Sequence, residues 1–120
     1  MAGTVVITEI THRPLQKVKF AWTSAVGGAA SATTTEYYTG KIEGLTTVPS
    51  AVTAPSDNYS VAITDSDGVD VLMGGGATRD SVNTEHVLST SLGCVVESKL
   101  SLSVTAAGDA KLGTVYVWIR

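Results

Sequence analysis

The chain has 120 residues, with 8 basic and 11 acidic side chains, a formal net charge of -3 and a pI near 5.2. That length fits one domain, residues 1–120, whose folding buries roughly 65% of the surface exposed by the unfolded chain, enough for a core without a disulfide or metal staple. The basic residues are scattered from Arg13 to Arg120 with no run, which excludes the phosphate-neutralising cluster of a nucleic-acid binder; no apolar stretch approaches the roughly 20 residues of a membrane-spanning helix.

In chain order, the first strand is expected over Thr4 to Ile10. The residues before it lack the basic and apolar blocks of a signal peptide, so synthesis in the cytoplasm is expected. Val18, Phe20 and Trp22 alternate with Lys17, Lys19 and Ala21, the period of two that marks a strand with one buried face. An Ala, Gly, Ser and Thr-rich connection, Ser24 to Thr35, leads to a strand over Glu36 to Thr47 with a bulge at Gly44. The next connection, Pro49 to Asp57, is bracketed by Pro49 and Pro55.

Tyr59, Val61 and Ile63 alternate with Ser60, Ala62 and Thr64. The turn Asp65-Ser66-Asp67-Gly68 predicts a hairpin into a strand over Val69 to Met73, because Asp and Gly tolerate positive φ. A long connection from Gly74 to Leu92 holds a short helix or strand around Asn83 to Leu88. Leu100, Leu102 and Val104 again alternate with Ser101, Ser103 and Thr105, and Ala106 to Lys111, with Gly108 left-handed, is expected to close a hairpin to the last strand. That strand, Thr114 to Arg120, is apolar on both faces, as befits a central strand or one whose outer face meets another subunit.

Seven or eight short strands with hairpin turns and a few longer crossovers predict an all-β fold. The expected architecture is a two-layer antiparallel β-sandwich of immunoglobulin-like or jelly-roll type, with a small eight-stranded barrel as the alternative.

The pattern offers no catalytic apparatus, and no catalytic, cofactor-binding or metal-ligating residue is expected. His12 and His86 lie far apart without a Cys or His at metal-ligand spacing, and no Gly-x-Ser-x-Gly nucleophile elbow occurs. Asp65, Asp67 and Asp70 resemble the start of a calcium loop, but the chain continues into Leu72-Met73-Gly74-Gly75-Gly76 instead of supplying a bidentate Glu, so a hairpin with solvated aspartates is expected. The glycine run lacks the Lys of a phosphate-binding loop and reads as a flexible or tight turn. The single cysteine, Cys94, beside Val95 and Val96, is expected to pack as a small buried hydrophobe.

Only 16% of residues are charged, whereas Ser and Thr supply about a quarter of the chain. So sparse a charge for a small domain points to a surface partly covered by a partner. Trp22 shares a face with Val18 and Phe20 and belongs in the core. Tyr116 and Trp118 lie opposite Val115, Val117 and Ile119, so one of the two sets needs another cover, and Tyr116 and Trp118 are the candidate interface residues. With Trp22, Tyr37 and Tyr38 they also admit readings as core or as a glycan-stacking platform.

Four segments carry a family resemblance: Met1-Ala2-Gly3-Thr4-Val5-Val6-Ile7-Thr8; Lys19-Phe20-Ala21-Trp22-Thr23-Ser24; Asn58 to Leu72, through Asp67-Gly68-Val69-Asp70; and Gly113-Thr114-Val115-Tyr116-Val117-Trp118-Ile119-Arg120. Together they resemble small structural proteins of tailed bacteriophages. The resemblance implies a virion component made in the host cytoplasm and assembled in many copies; a homo-oligomer that binds the major capsid protein or other virion proteins is expected, with no nucleic acid, membrane or cofactor. A capsid decoration or cement protein is the first expectation, a head–tail connector or tail component the second, and a glycan-binding module the alternative of another class.

Overall fold

The alternating segments do form strands. The computed structural model describes residues 3–12 and 15–120 and contains nine: β1 (Thr4–His12), β2 (Leu15–Thr23), β3 (Ala30–Thr33), β4 (Tyr38–Pro49), β5 (Ser60–Thr64), β6 (Glu85–Leu88), β7 (Cys94–Ser98), β8 (Ser101–Thr105) and β9 (Leu112–Ile119). A single 3-10 turn, Ser89–Ser91, separates β6 from β7, and no α-helix occurs among the described residues. All strand pairings are antiparallel. The larger sheet runs β1-β2-β9-β4-β6, with β7 also on β4; the smaller runs β3-β8-β5.

β6 and β7 lie along one edge of β4, in the same direction. Leu88 opposes Gly44 and Cys94 opposes Lys41, so the pair amounts to one long edge strand interrupted by residues 89–93. Such an interruption blunts an edge that would otherwise template further pairing.

The two sheets pack as a sandwich. Val18, Phe20 and Trp22 of β2, Leu45 of β4 and Val115, Val117 and Ile119 of β9 meet Val61 and Ile63 of β5 and Leu102 and Val104 of β8 in one buried cluster. Each such aliphatic or Phe side chain, fully buried, contributes roughly 1.5–3 kcal/mol. Trp22 is directly opposite Gly113 across β2 and β9. Its indole fills the space a side chain at 113 would take and meets the Tyr59 ring at 5.5 Å between centroids.

β9 is the central strand of its sheet, flanked by β2 and β4. The register shifts between Ile42 and Gly44, at the glycine where the sequence suggests a bulge.

Four expectations need correction. The described residues hold nine strands, because β3 and β7 arise in segments whose pattern did not announce them. Val69 to Met73 is not a strand: after one isolated bridge between Thr64 and Asp70, both Asp70 carboxylate oxygens accept backbone N–H groups, from Leu72 and from Gly74, each at 3.0 Å. The backbone then turns through positive φ at Met73 and Gly74, and Val71 and Leu72 enter the core from a loop.

Residues 106–111 do not close a hairpin either. β8 belongs to the smaller sheet and β9 to the larger, so this segment crosses between layers. Buried Ser24 holds it: its hydroxyl donates to the Gly108 carbonyl and accepts the Lys111 N–H at 2.9 Å. The last correction concerns the barrel, since the strands form two separate sheets.

Candidate interaction face

The outer face of the larger sheet follows from the register. Ile10 opposes Lys17, Lys17 opposes Trp118, Trp118 opposes Gly44 and Gly44 opposes Leu88, a row across five strands. The next row is Thr8, Lys19, Tyr116, Thr46 and His86. A third places Val6, Ala21, Thr114 and Val48 side by side. Partners in an antiparallel ladder point to the same side of the sheet, so these residues form one surface.

At its centre Tyr116 and Trp118, two residues apart on β9 and both half-exposed, stack with ring centroids 6.1 Å apart and planes inclined by 20°. The Lys17 ammonium lies 4.7 Å from the Tyr116 centroid and 5.9 Å from that of Trp118, and Lys19 lies 5.9 Å from Tyr116. Contacts of this kind, at exposed sites, are worth about 0.5–1 kcal/mol each and fix ring orientation. Gly44 makes room for the indole: a Cβ there would meet Trp118 Cε3 at 3.3 Å. Thr46 Oγ1 and His86 Nδ1 are hydrogen-bonded at 2.8 Å.

Apolar side chains lie at the margins of this face, with Val6 67% and Leu88 72% exposed. Beyond the third row an open depression of about 390 Å³ is lined by Thr4, Val6, Ala21, Val48 and Leu112 among others. The surface is broad, ridged by two aromatic rings and without a deep cleft, a shape suited to docking rather than to enclosing a small molecule.

The candidate interface residues Tyr116 and Trp118 are thus brought together on one surface, opposite the buried Val115, Val117 and Ile119. Of the other aromatics, Trp22 is core, Tyr38 is buried, and Tyr37 is exposed with Lys99 Nζ at 5.4 Å from its ring. Reading the sequence did not assign Lys17, Gly44 or Leu88 to the site. The alternation places Lys17 outside, but only the pairing of β2 with β9 puts it against Tyr116.

His86 sits in β6, a short strand within the segment Asn83 to Leu88 where the sequence suggests a short helix or strand. His12 ends β1, and its side chain lies outside the described residues. Cys94 is exposed, contrary to the expected burial, and its neighbour Val95 takes the inward position. Asp65 Oδ1 accepts the N–H groups of Asp67 and Val69. With Asp70 engaged as described, these carboxylates shape their own loop, and no group of three His, Cys, Asp or Glu side chains placed to hold a metal ion occurs among the described residues. The glycine run turns tightly against β5, where Gly76 accepts the Val61 N–H.

A second polar cluster lies at the end of β1. Tyr38 Oη donates to Glu9 Oε1 at 2.6 Å, Thr35 Oγ1 donates to Oε2 at 2.7 Å, and the Glu36 N–H donates to Oε1 at 3.3 Å. Burial raises the Glu9 pKa, but these hydrogen bonds outweigh it and hold the carboxyl below its ordinary value. Burial, then the bond to Glu9 and its charge, push the Tyr38 phenol far above its ordinary value. The cluster pins β1 to the start of β4 with no nucleophile beside it.

No protein-family model matches the chain, and no curated protein matches it.

Proposed function

We propose that the chain is a structural component of a tailed-bacteriophage particle: a capsid decoration or cement protein that binds major capsid protein subunits through the outer face of its larger sheet. On this reading it works in the virion after synthesis in the bacterial cytoplasm, catalyses no reaction and uses no cofactor. The observation that carries the docking role is the stacked, half-exposed Tyr116–Trp118 pair at the centre of a surface edged by exposed Val6 and Leu88. Buried Trp and Tyr anchors ringed by weaker contacts dominate many protein interfaces. The resemblance to phage structural proteins supplies the kind of partner.

The glycan-binding alternative is weaker, because sugars stack on open aromatic faces and the Tyr116 ring already carries the Lys17 and Lys19 ammonium groups. The test is to quantify the chain in purified particles and locate it by cryo-electron microscopy. Decoration requires copies spread over the head lattice in proportion to the major capsid protein. A single ring at the neck would favour a connector, and absence from particles would overturn the proposal.

A further inference from the structure

The charge on this face singles out its partner. Its rows contain Lys17 and Lys19 beside the aromatic pair, and none of the residues that the pairings place there is acidic, although the chain as a whole has more acidic than basic residues. The one ion pair among the described residues, Arg79 with Glu85 at 3.7 Å, involves neither lysine. Glu43, at the bulge beside Gly44, forms no ion pair with them. Two ammonium groups thus border the aromatic ridge with no carboxylate ion-paired to either, and the acidic residue beside the rows, Glu43, is the extra residue of the β4 bulge opposite Trp118.

We propose that the face docks on an acidic protein surface, an apolar patch flanked by carboxylates that pair with Lys17 and Lys19, and that it does not pair with the same face of a second copy. This inference rests on the docking role proposed above and specifies the partner's chemistry. A twofold, face-to-face pair would gather four lysine ammonium groups in one interface, and like charges collected in an interface are disfavoured. A carboxylate-bearing patch reverses the sign of that interaction, while Tyr116 and Trp118 supply the apolar contact. Two lysines on a net acidic chain are too few for a nucleic-acid backbone, whose binders neutralise many phosphates.

The experiment uses particles assembled without this chain and the purified full-length chain added back, with Kd measured at low and at high salt. The parent, Lys17→Gln/Lys19→Gln and Trp118→Ala are compared, each with its thermal melt and sedimentation velocity. The parent should bind about tenfold more weakly at high salt, and the double glutamine variant about tenfold more weakly than the parent at low salt, with little remaining salt dependence. Equal binding by the parent and the double variant, unaffected by salt, would overturn the acidic partner. If Trp118→Ala then still abolished binding, the docking role itself would survive; if Trp118→Ala bound normally, both readings would fall. Self-association of the parent that Lys17→Gln/Lys19→Gln changes, or binding to duplex DNA as tight as to particles, would also overturn the proposal.

Discussion

Trp118 and Gly44 face each other across β9 and β4, and the missing side chain at 44 leaves the space in which the indole lies. Gly44 does not adopt a positive φ, so the demand for glycine comes from the neighbouring ring. Gly44→Val should therefore displace Trp118 and break its stack with Tyr116 while costing less than about 2 kcal/mol in the fold, since the added methyls lie on the outer face. Near-ultraviolet circular dichroism reads the ring pair and a thermal melt reads the fold. An unchanged aromatic spectrum would show that the ring does not depend on that gap.

Trp118→Ala should weaken incorporation into particles more than it weakens the fold, with a binding loss of about 2 kcal/mol or more if the residue is an anchor. Copies per particle set against the melting temperature make the comparison. A variant that melts far below the parent, or one that is incorporated fully, would place the anchor elsewhere.

Ser24→Ala should destabilise the domain by about 1–3 kcal/mol, because it leaves the Lys111 N–H without its side-chain acceptor and the Gly108 carbonyl without its donor. Urea denaturation measures the loss. A change within experimental scatter would mean that the backbone bond from Ser24 to the Lys111 carbonyl, at 2.8 Å, holds the crossover alone.

The Glu9–Tyr38 pair makes stability depend on pH at both extremes. The Glu9 pKa is depressed by folding from its ordinary value of 4.5, so its contribution is fully present above that value and is lost as pH falls through the folded pKa. The Tyr38 pKa is raised from 10.0. Its contribution is present below pH 10.0 and declines above it, where the unfolded chain loses the phenolic proton first. Melting temperature against pH should fall less steeply on the acid side for Glu9→Gln and on the alkaline side for Tyr38→Phe than for the parent; parallel curves would exclude the pair as the cause.

Cys94 should react with a water-soluble thiol reagent in the native protein as readily as in the unfolded chain, since it is exposed on the edge strand β7. Cys94→Ser should change stability by no more than about 0.5 kcal/mol. Protection of the native thiol would show that the outward side of β7 is covered.

The sequence by itself determined the all-β class, the faces of β2, β5, β8 and β9, and the opposition of Tyr116 and Trp118 to Val115, Val117 and Ile119. The reason is local: a period of two sorts side chains to opposite sides of a strand whatever its neighbours are. It did not reveal β3 or β7, because Ala-Ser-Ala-Thr alternates only through small alanines and Cys94 to Ser98 breaks its alternation at Glu97, where φ is positive. Strand pairing was likewise beyond it. Asp-Gly at 67–68 makes a turn but no second strand, since Asp70 closes another turn first, and the segment from 106 to 111 passes from one sheet to the other. Only the tertiary structure placed Lys17 against Tyr116 and Gly44 beneath Trp118, because contacts between strands distant in the chain are set by register and layer, and neither is written in any single segment.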